Sequence, residues 1–140
     1  MKVDPTVLGA MTPFPVVAAP DTHVIAARAM LKGREIRHLP VVDGNGDVLG
    51  VLTEAELELA EKLTEEPERP IGSLLHREPV RLGLEVSLKV AVRRMAQAGA
   101  DCAVVERNGR LAGILTLSDV SDVLLRILPS PFVDQGGDVA

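Results

Sequence analysis

Gly113-Ile114-Leu115-Thr116-Leu117-Ser118-Asp119 reads as a buried strand that runs straight into a helix, with Thr116 as the cap and a carboxylate three residues inside. An echo lies 63 residues earlier in Gly50-Val51-Leu52-Thr53-Glu54-Ala55-Glu56, where Thr53 is the cap. The repeat extends outward from this pair. Leu39-Pro40-Val41-Val42 aligns with Cys102-Ala103-Val104-Val105 at the same spacing, and Pro15-Val16 aligns with Pro79-Val80 at a spacing of 64. On that alignment the second copy lacks one residue before its middle strand. Two copies of about sixty residues fill the chain, and this organisation governs every local reading.

Each copy has the same order of elements. Pro5 opens a short helix over residues 6–10, and Pro13 and Pro15 then enforce extended backbone around a brief strand at 16–18. Asp21 or Thr22 caps a helix ending at Gly33, with Val24, Ala27, Met30 and Leu31 at helical spacing. A hairpin follows, Leu39–Val42 and Val48–Leu52, turned by Gly44-Asn45-Gly46. An amphipathic helix from Glu54 then carries Leu57, Ala60 and Leu63 on one face. The second copy predicts a short helix at 71–75 and a strand at 80–82. A helix begun by Ser87 or Val86 ends at Gly99, and a hairpin and last helix run to 128. The expected boundaries are 6–64, a polar linker at 65–70, 71–128, and a loose tail at 129–140. The fold class is α+β: two small three-stranded sheets with helices, packed sheet to sheet about a pseudo-two-fold axis. One copy is too small to close its own core.

Composition narrows the function. With 46% hydrophobic residues the 140-residue chain can build a core without disulfides, and Cys102 is its single cysteine. A net charge of −5 argues against contact with a phosphate backbone. The acidic excess, concentrated between Glu54 and Glu68, reads as a solvated helix face. Phe14 and Phe132 are the whole aromatic content, too little for a base-stacking platform. No apolar run spans a bilayer, and the first residues lack the apolar core of a signal peptide. The expected location is the cytoplasm, with neither nucleic acid nor membrane as partner.

The run Met11-Thr12, Phe14-Pro15-Val16, Pro20-Asp21-Thr22, His38-Leu39-Pro40-Val41-Val42-Asp43 and Gly50-Val51-Leu52-Thr53 resembles a CBS motif. The second copy, ending Gly113-Ile114-Leu115-Thr116-Leu117-Ser118-Asp119, resembles another. The chain is therefore similar to a tandem CBS-domain pair, or Bateman module, over roughly residues 6–128. This resemblance implies a regulatory module and not an enzyme. It would bind AMP, ADP, ATP or S-adenosylmethionine in clefts between the motifs, and would pair into a homodimer. In the family pattern the Asp of Gly-x-x-Thr/Ser-x-x-Asp holds the ribose hydroxyls, and the residues of one motif face the base-binding backbone of the other. Carried onto this chain, the first site comprises Thr116, Ser118 and Asp119 with Thr12, Phe14, Val16, Ile36, Arg37 and His38. The second comprises Thr53 and Glu56 with Val80, Ala100 and Asp101. Glu56 departs from the family's Asp, so that site is expected to be the weaker.

The chemistry supports two readings of the carboxylates. A carboxylate accepts both hydroxyls of a cis-diol, and free N–H groups at a helix start suit phosphate oxygens. The same residues also fit a helix cap, with Thr53-x-x-Glu56 matching the capping box itself. Arg37 and His38 suit phosphates or a solvated strand entrance; their counterparts on the alignment, Ala100 and Asp101, are not basic. Phe14 can pack on a base or anchor the entering chain. His23, His38 and His76 have no metal-ligand spacing, so no metal is expected, and Cys102 reads as a packed thiol. No cofactor and no catalytic residues are expected. The leading expectation is a stand-alone pair that senses an adenosine metabolite and signals to an unidentified protein partner. The alternative is a ligand-free dimerisation or scaffold module.

Overall fold

The computed structural model describes residues 5–66 and 68–128, so the expected tail lies outside the described residues. The first copy contains α1 (Val7–Ala10), β1 (Thr12–Pro13), α2 (Val24–Leu31), β2 (His38–Val42), β3 (Val48–Thr53) and α3 (Glu54–Leu63). The second contains a 3-10 turn (Ile71–Leu74), β4 (Arg81–Gly83), α4 (Leu88–Ala98), β5 (Cys102–Arg107), β6 (Arg110–Thr116) and α5 (Leu117–Ile127). Several starts and stops follow the local chemistry. Thr6 accepts from the Gly9 amide to cap α1, Ser87 accepts from the Val90 amide to cap α4, and Gly99 ends α4 in the left-handed conformation. The β5–β6 hairpin turns on Asn108 and Gly109, both at positive φ, the geometry that matches strand twist.

Some expectations are corrected. His23, without a side-chain capping hydrogen bond, occupies the cap of α2, in place of Asp21 or Thr22. The brief strand at 16–18 reduces to one parallel bridge between Ala18 and Val41. Phe14 is not extended but sits at φ 51. Of the three residues expected to turn the first hairpin, only Gly46 has positive φ. The Asp43 carboxylate holds that turn, accepting from the Asn45 and Asp47 amides.

The alignment of the middle strands also shifts. Ala18 bridges Val41 in the first copy and Leu82 pairs with Val105 in the second, in both cases parallel. Leu39 and Val41 face one core, and Ala103 and Val105 face the other. The middle strands therefore correspond at a spacing of 64, and the missing residue lies in the hairpin turn. His38 is equivalent to Cys102, Arg37 to Asp101, and Ile36 to Ala100.

The leading segments change sides, and the sheets are unequal: the counterpart of β4 in the first copy is only the Ala18–Val41 bridge. β1 pairs with β6, giving a four-stranded sheet β1-β6-β5-β4 against the two-stranded sheet β2-β3. Val7, from the first copy, is fully buried in the second copy's core beside Leu82, Leu88, Ala91, Met95 and Leu115. Ile71, from the second copy, is fully buried in the first copy's core beside Val24, Ala27, Leu39 and Leu57. Backbone bonds lock the exchange: Val7 N–H to Val86 C=O at 2.9 Å, Leu88 N–H to Pro5 C=O at 2.8 Å, and Ile71 N–H to Thr22 C=O at 2.8 Å.

Strand alternation places the copies sheet against sheet. Val104 points away from the core that holds Ala103 and Val105, yet it is fully buried, and Pro40 between Leu39 and Val41 is buried too. Across this contact the Arg81 guanidinium donates to the Val48 carbonyl at 2.7 Å.

Two predictions test the packing. Ile71→Ala removes a closing side chain from the first copy and should cost about 2–5 kcal/mol. In hydrogen exchange, protection should fall first in α2 and α3 although the mutation is in the second copy's sequence. At Gly113 an added Cβ would lie 2.8 Å from the Thr12 carbonyl oxygen, a backbone atom, whereas at Gly50 the nearest atom is the Leu75 terminal methyl at 2.7 Å. Gly113→Ala should therefore lower the denaturant midpoint by the equivalent of about 1–3 kcal/mol, and Gly50→Ala by less.

Candidate functional site: two clefts between the copies

The exchange of leading segments sets two clefts between the copies, each bounded by a strand-to-helix turn of one copy and the entry to the middle strand of the other. The larger, of about 790 Å³, is lined by Thr12, Glu35, Ile36, Arg37, His38 and Asp101 and by Ile114, Thr116, Leu117, Ser118 and Asp119. The other, of about 460 Å³, includes Thr53, Glu56, Val80, Ala100 and Asp101 and also Leu75, His76, Arg77, Glu78, Gly99 and Cys102. Both volumes fall in the range of small-molecule sites.

Seven of the nine residues expected at the first site line its cleft; Phe14 and Val16 do not. Phe14 is 93% exposed, so it anchors nothing among the described residues, and Val16 packs against the first copy's core. All five residues expected at the second site line the other cleft. Sequence reading missed Glu35 in the first cleft. In the second it missed His76 and Arg77, which bring basic groups to a cleft that had been expected to lack them. A signal for His76 existed, since it stands 64 residues after Thr12.

Both carboxylates close a capping box. Asp119 Oδ2 accepts from the Thr116 amide at 2.9 Å, while Thr116 Oγ1 accepts from the Asp119 amide at 3.2 Å. Glu56 Oε1 accepts from the Thr53 amide at 3.1 Å, while Thr53 Oγ1 accepts from the Glu56 amide at 3.0 Å. The extra methylene of Glu56 therefore brings no advantage in reach. What distinguishes the two is the second oxygen. Asp119 Oδ1 accepts from the Thr12 hydroxyl of the exchanged segment at 3.2 Å. Glu56 Oε2 lies 3.7 Å from His76 Nδ1, the equivalent position. Each oxygen of Asp119 keeps a lone pair for a further donor, and its direction is fixed from both sides of the cleft.

Between the clefts stand His38, Asp101 and Cys102. Burial pushes the Cys102 thiol up to about 12, with the negative charges of Asp101 and Glu56 adding to the rise. At neutral pH it is a protonated thiol and no nucleophile, in keeping with a packed role. No helix among the described residues is long and apolar enough to cross a membrane.

Comparison with known proteins agrees with this architecture. The family model described as "CBS domain" matches twice, over residues 7–60 and 71–126. A CBS domain-containing protein of Dictyostelium discoideum is 29% identical over 124 residues, covering 77% of this chain and 83% of its own. The CBS domain pair of protein MJ0100, solved with 5′-methylthioadenosine and S-adenosyl-L-methionine, superposes with a TM-score of 0.79 at 20% identity. The match covers 89% of this chain and 98% of that one. CBSX2 in complex with AMP is 28% identical with a TM-score of 0.73, over 88% of this chain and 98% of that one. With two matched copies that exchange their leading segments, the chain belongs to the CBS-domain family as a tandem pair.

Proposed function

We propose that the pair is a regulatory module that binds an adenosine-containing metabolite in the cleft at Asp119. The observation that carries this reading is the Asp119 carboxylate, held by the Thr116 amide and the Thr12 hydroxyl, in a cleft that also contains Arg37. Its free lone pairs suit a cis-diol, the amide-rich start of α5 and the Arg37 guanidinium suit phosphate oxygens, and Ile36 offers an apolar face to a base. The relative CBSX2, solved with AMP, supports the ligand class. Ligand held by both copies would favour the arrangement in which the cleft is closed, and so alter association with a dimer mate or protein partner. The module carries no catalysis in this reading, and it needs no cofactor.

A second reading rests on a separate observation. Leu63 and Leu125 are 81% and 80% exposed, and Leu59, Ile127 and Leu128 are also exposed, so α3 and the end of α5 present apolar side chains to solvent. Pairing of copies through these helices would cover them, whether or not a ligand binds.

Calorimetry and thermal shift against AMP, ADP, ATP, S-adenosylmethionine and NADH test the first reading. A ligand at a hundred times its Kd should add about 2.7 kcal/mol of stability. Asp119→Ala should abolish the shift beyond its own lowering of the baseline. Arg37→Ala should weaken AMP, ADP and ATP while sparing S-adenosylmethionine. A panel without any shift, or an Asp119→Ala protein that responds in full, would remove the ligand reading. Sedimentation of the ligand-free chain at several concentrations then decides the second.

A further inference from the structure

His38 Nε2 is a buried nitrogen without a hydrogen-bond partner among the described residues. Asp101 Oδ2 lies 3.4 Å away but outside hydrogen-bonding geometry. A buried unpaired ring nitrogen carries a desolvation cost and calls for a partner. One ligand atom from each of His38, Asp101 and Cys102 lies within 4.8 Å of the other two, so a single small cation can reach all three donors.

We infer that His38, Asp101 and Cys102 form a binding site for a divalent transition-metal ion of the zinc type, set at the wall between the two clefts. The donor set is imidazole nitrogen, carboxylate oxygen and thiolate sulfur, which suits zinc and its neighbours and disfavours magnesium and calcium, whose ligands are oxygens. Bond lengths of about 2.0–2.3 Å place tetrahedral donors about 3–4 Å apart, so the present spacing requires a small contraction of side chains alone. The backbone already supports this. His38 and Cys102 are the first residues of β2 and β5, each held by an antiparallel partner strand, at Thr53 and Thr116.

Two carboxylates act on the Cys102 sulfur. After burial itself, Asp101 and Glu56 disfavour a negative sulfur at Cys102, and both carboxylates attract a divalent ion placed at the same point. On binding, the thiol proton leaves to solvent as the sulfur–metal bond forms, with no change of oxidation state. Three protein donors leave a fourth position open. Asp101 lines both clefts, His38 the larger and Cys102 the smaller, so that position faces a solvent-filled space and is filled by water.

The test uses the full chain freed of metal with a chelator, then titrated with cobalt(II) as a coloured substitute and with zinc as competitor. The expected result is one ion per chain, a thiolate-to-cobalt charge-transfer band, and loss of that band when zinc is added. Cys102→Ser should remove the band, and His38→Gln should weaken zinc binding by more than about tenfold. Asp101→Asn, which preserves shape, should weaken it less, and the surface change His23→Gln should have no effect. Circular dichroism confirms that each variant is folded. The inference is overturned if wild-type protein gives no charge-transfer band, or if zinc binds equally well to folded Cys102→Ser and His38→Gln; His38 and Asp101 then form a charge contact only.

Discussion

Everything in this structure depends on the exchange of short leading segments between the two halves. A sixty-residue αβ unit buries little of its chain's surface and is marginal alone. Val7 and Ile71 solve this by filling the other copy's core, and the flanking backbone bonds make the exchange directional. The segment that follows each exchanged residue is then carried alongside the other copy's strand-to-helix turn. Thr12 meets Asp119, and His76 approaches Glu56, because α1 and the 3-10 turn are already committed to the far core. The clefts are thus by-products of core closure.

The capping boxes show how one group serves stability and recognition together. A cap leaves a carboxylate fixed in direction and beside the amides of a helix start, which are properties a ribose-phosphate site requires. Capping and binding therefore do not compete as explanations of Asp119. The difference between the two turns lies outside them, in the residue delivered by the exchanged segment. A threonine there donates a neutral hydrogen bond, and a histidine brings a titratable ring.

Much of this was legible in the residues. The repeat, the Thr53 and Thr116 caps and the Gly99 stop follow from short-range chemistry and a self-comparison, whereas the residues of the two clefts came from the family resemblance. The exchange was not legible, because an apolar Val7 or Ile71 signals burial without saying in which core. The repeat spacing misled at the middle strands. Matching Val41-Val42 to Val104-Val105 maximises identity, but a one-residue slip reverses every side chain's face, and the observed faces require 64. Phe14 misled in another way: two flanking prolines argue for extended backbone, yet it takes a positive φ and projects into solvent. The juxtaposition of His38 with Cys102 depends on the corrected spacing and could not be seen without it.

A unit that borrows its closing segment leaves its core open as a monomer, and a single copy of this repeat would close it by pairing with a second copy about a true two-fold axis. In such a pair any residue on the axis meets its own image, and like faces like. His38 and Cys102 are equivalent positions whose donor atoms lie close enough to share one ion, and Arg37 is the image of Asp101. Joining the copies in one chain releases that constraint: each axial position can take a different chemistry on its two sides, with the backbone unchanged. In this chain the contact is heterogeneous: imidazole, thiol and carboxylate converge where symmetry would have allowed only matched pairs.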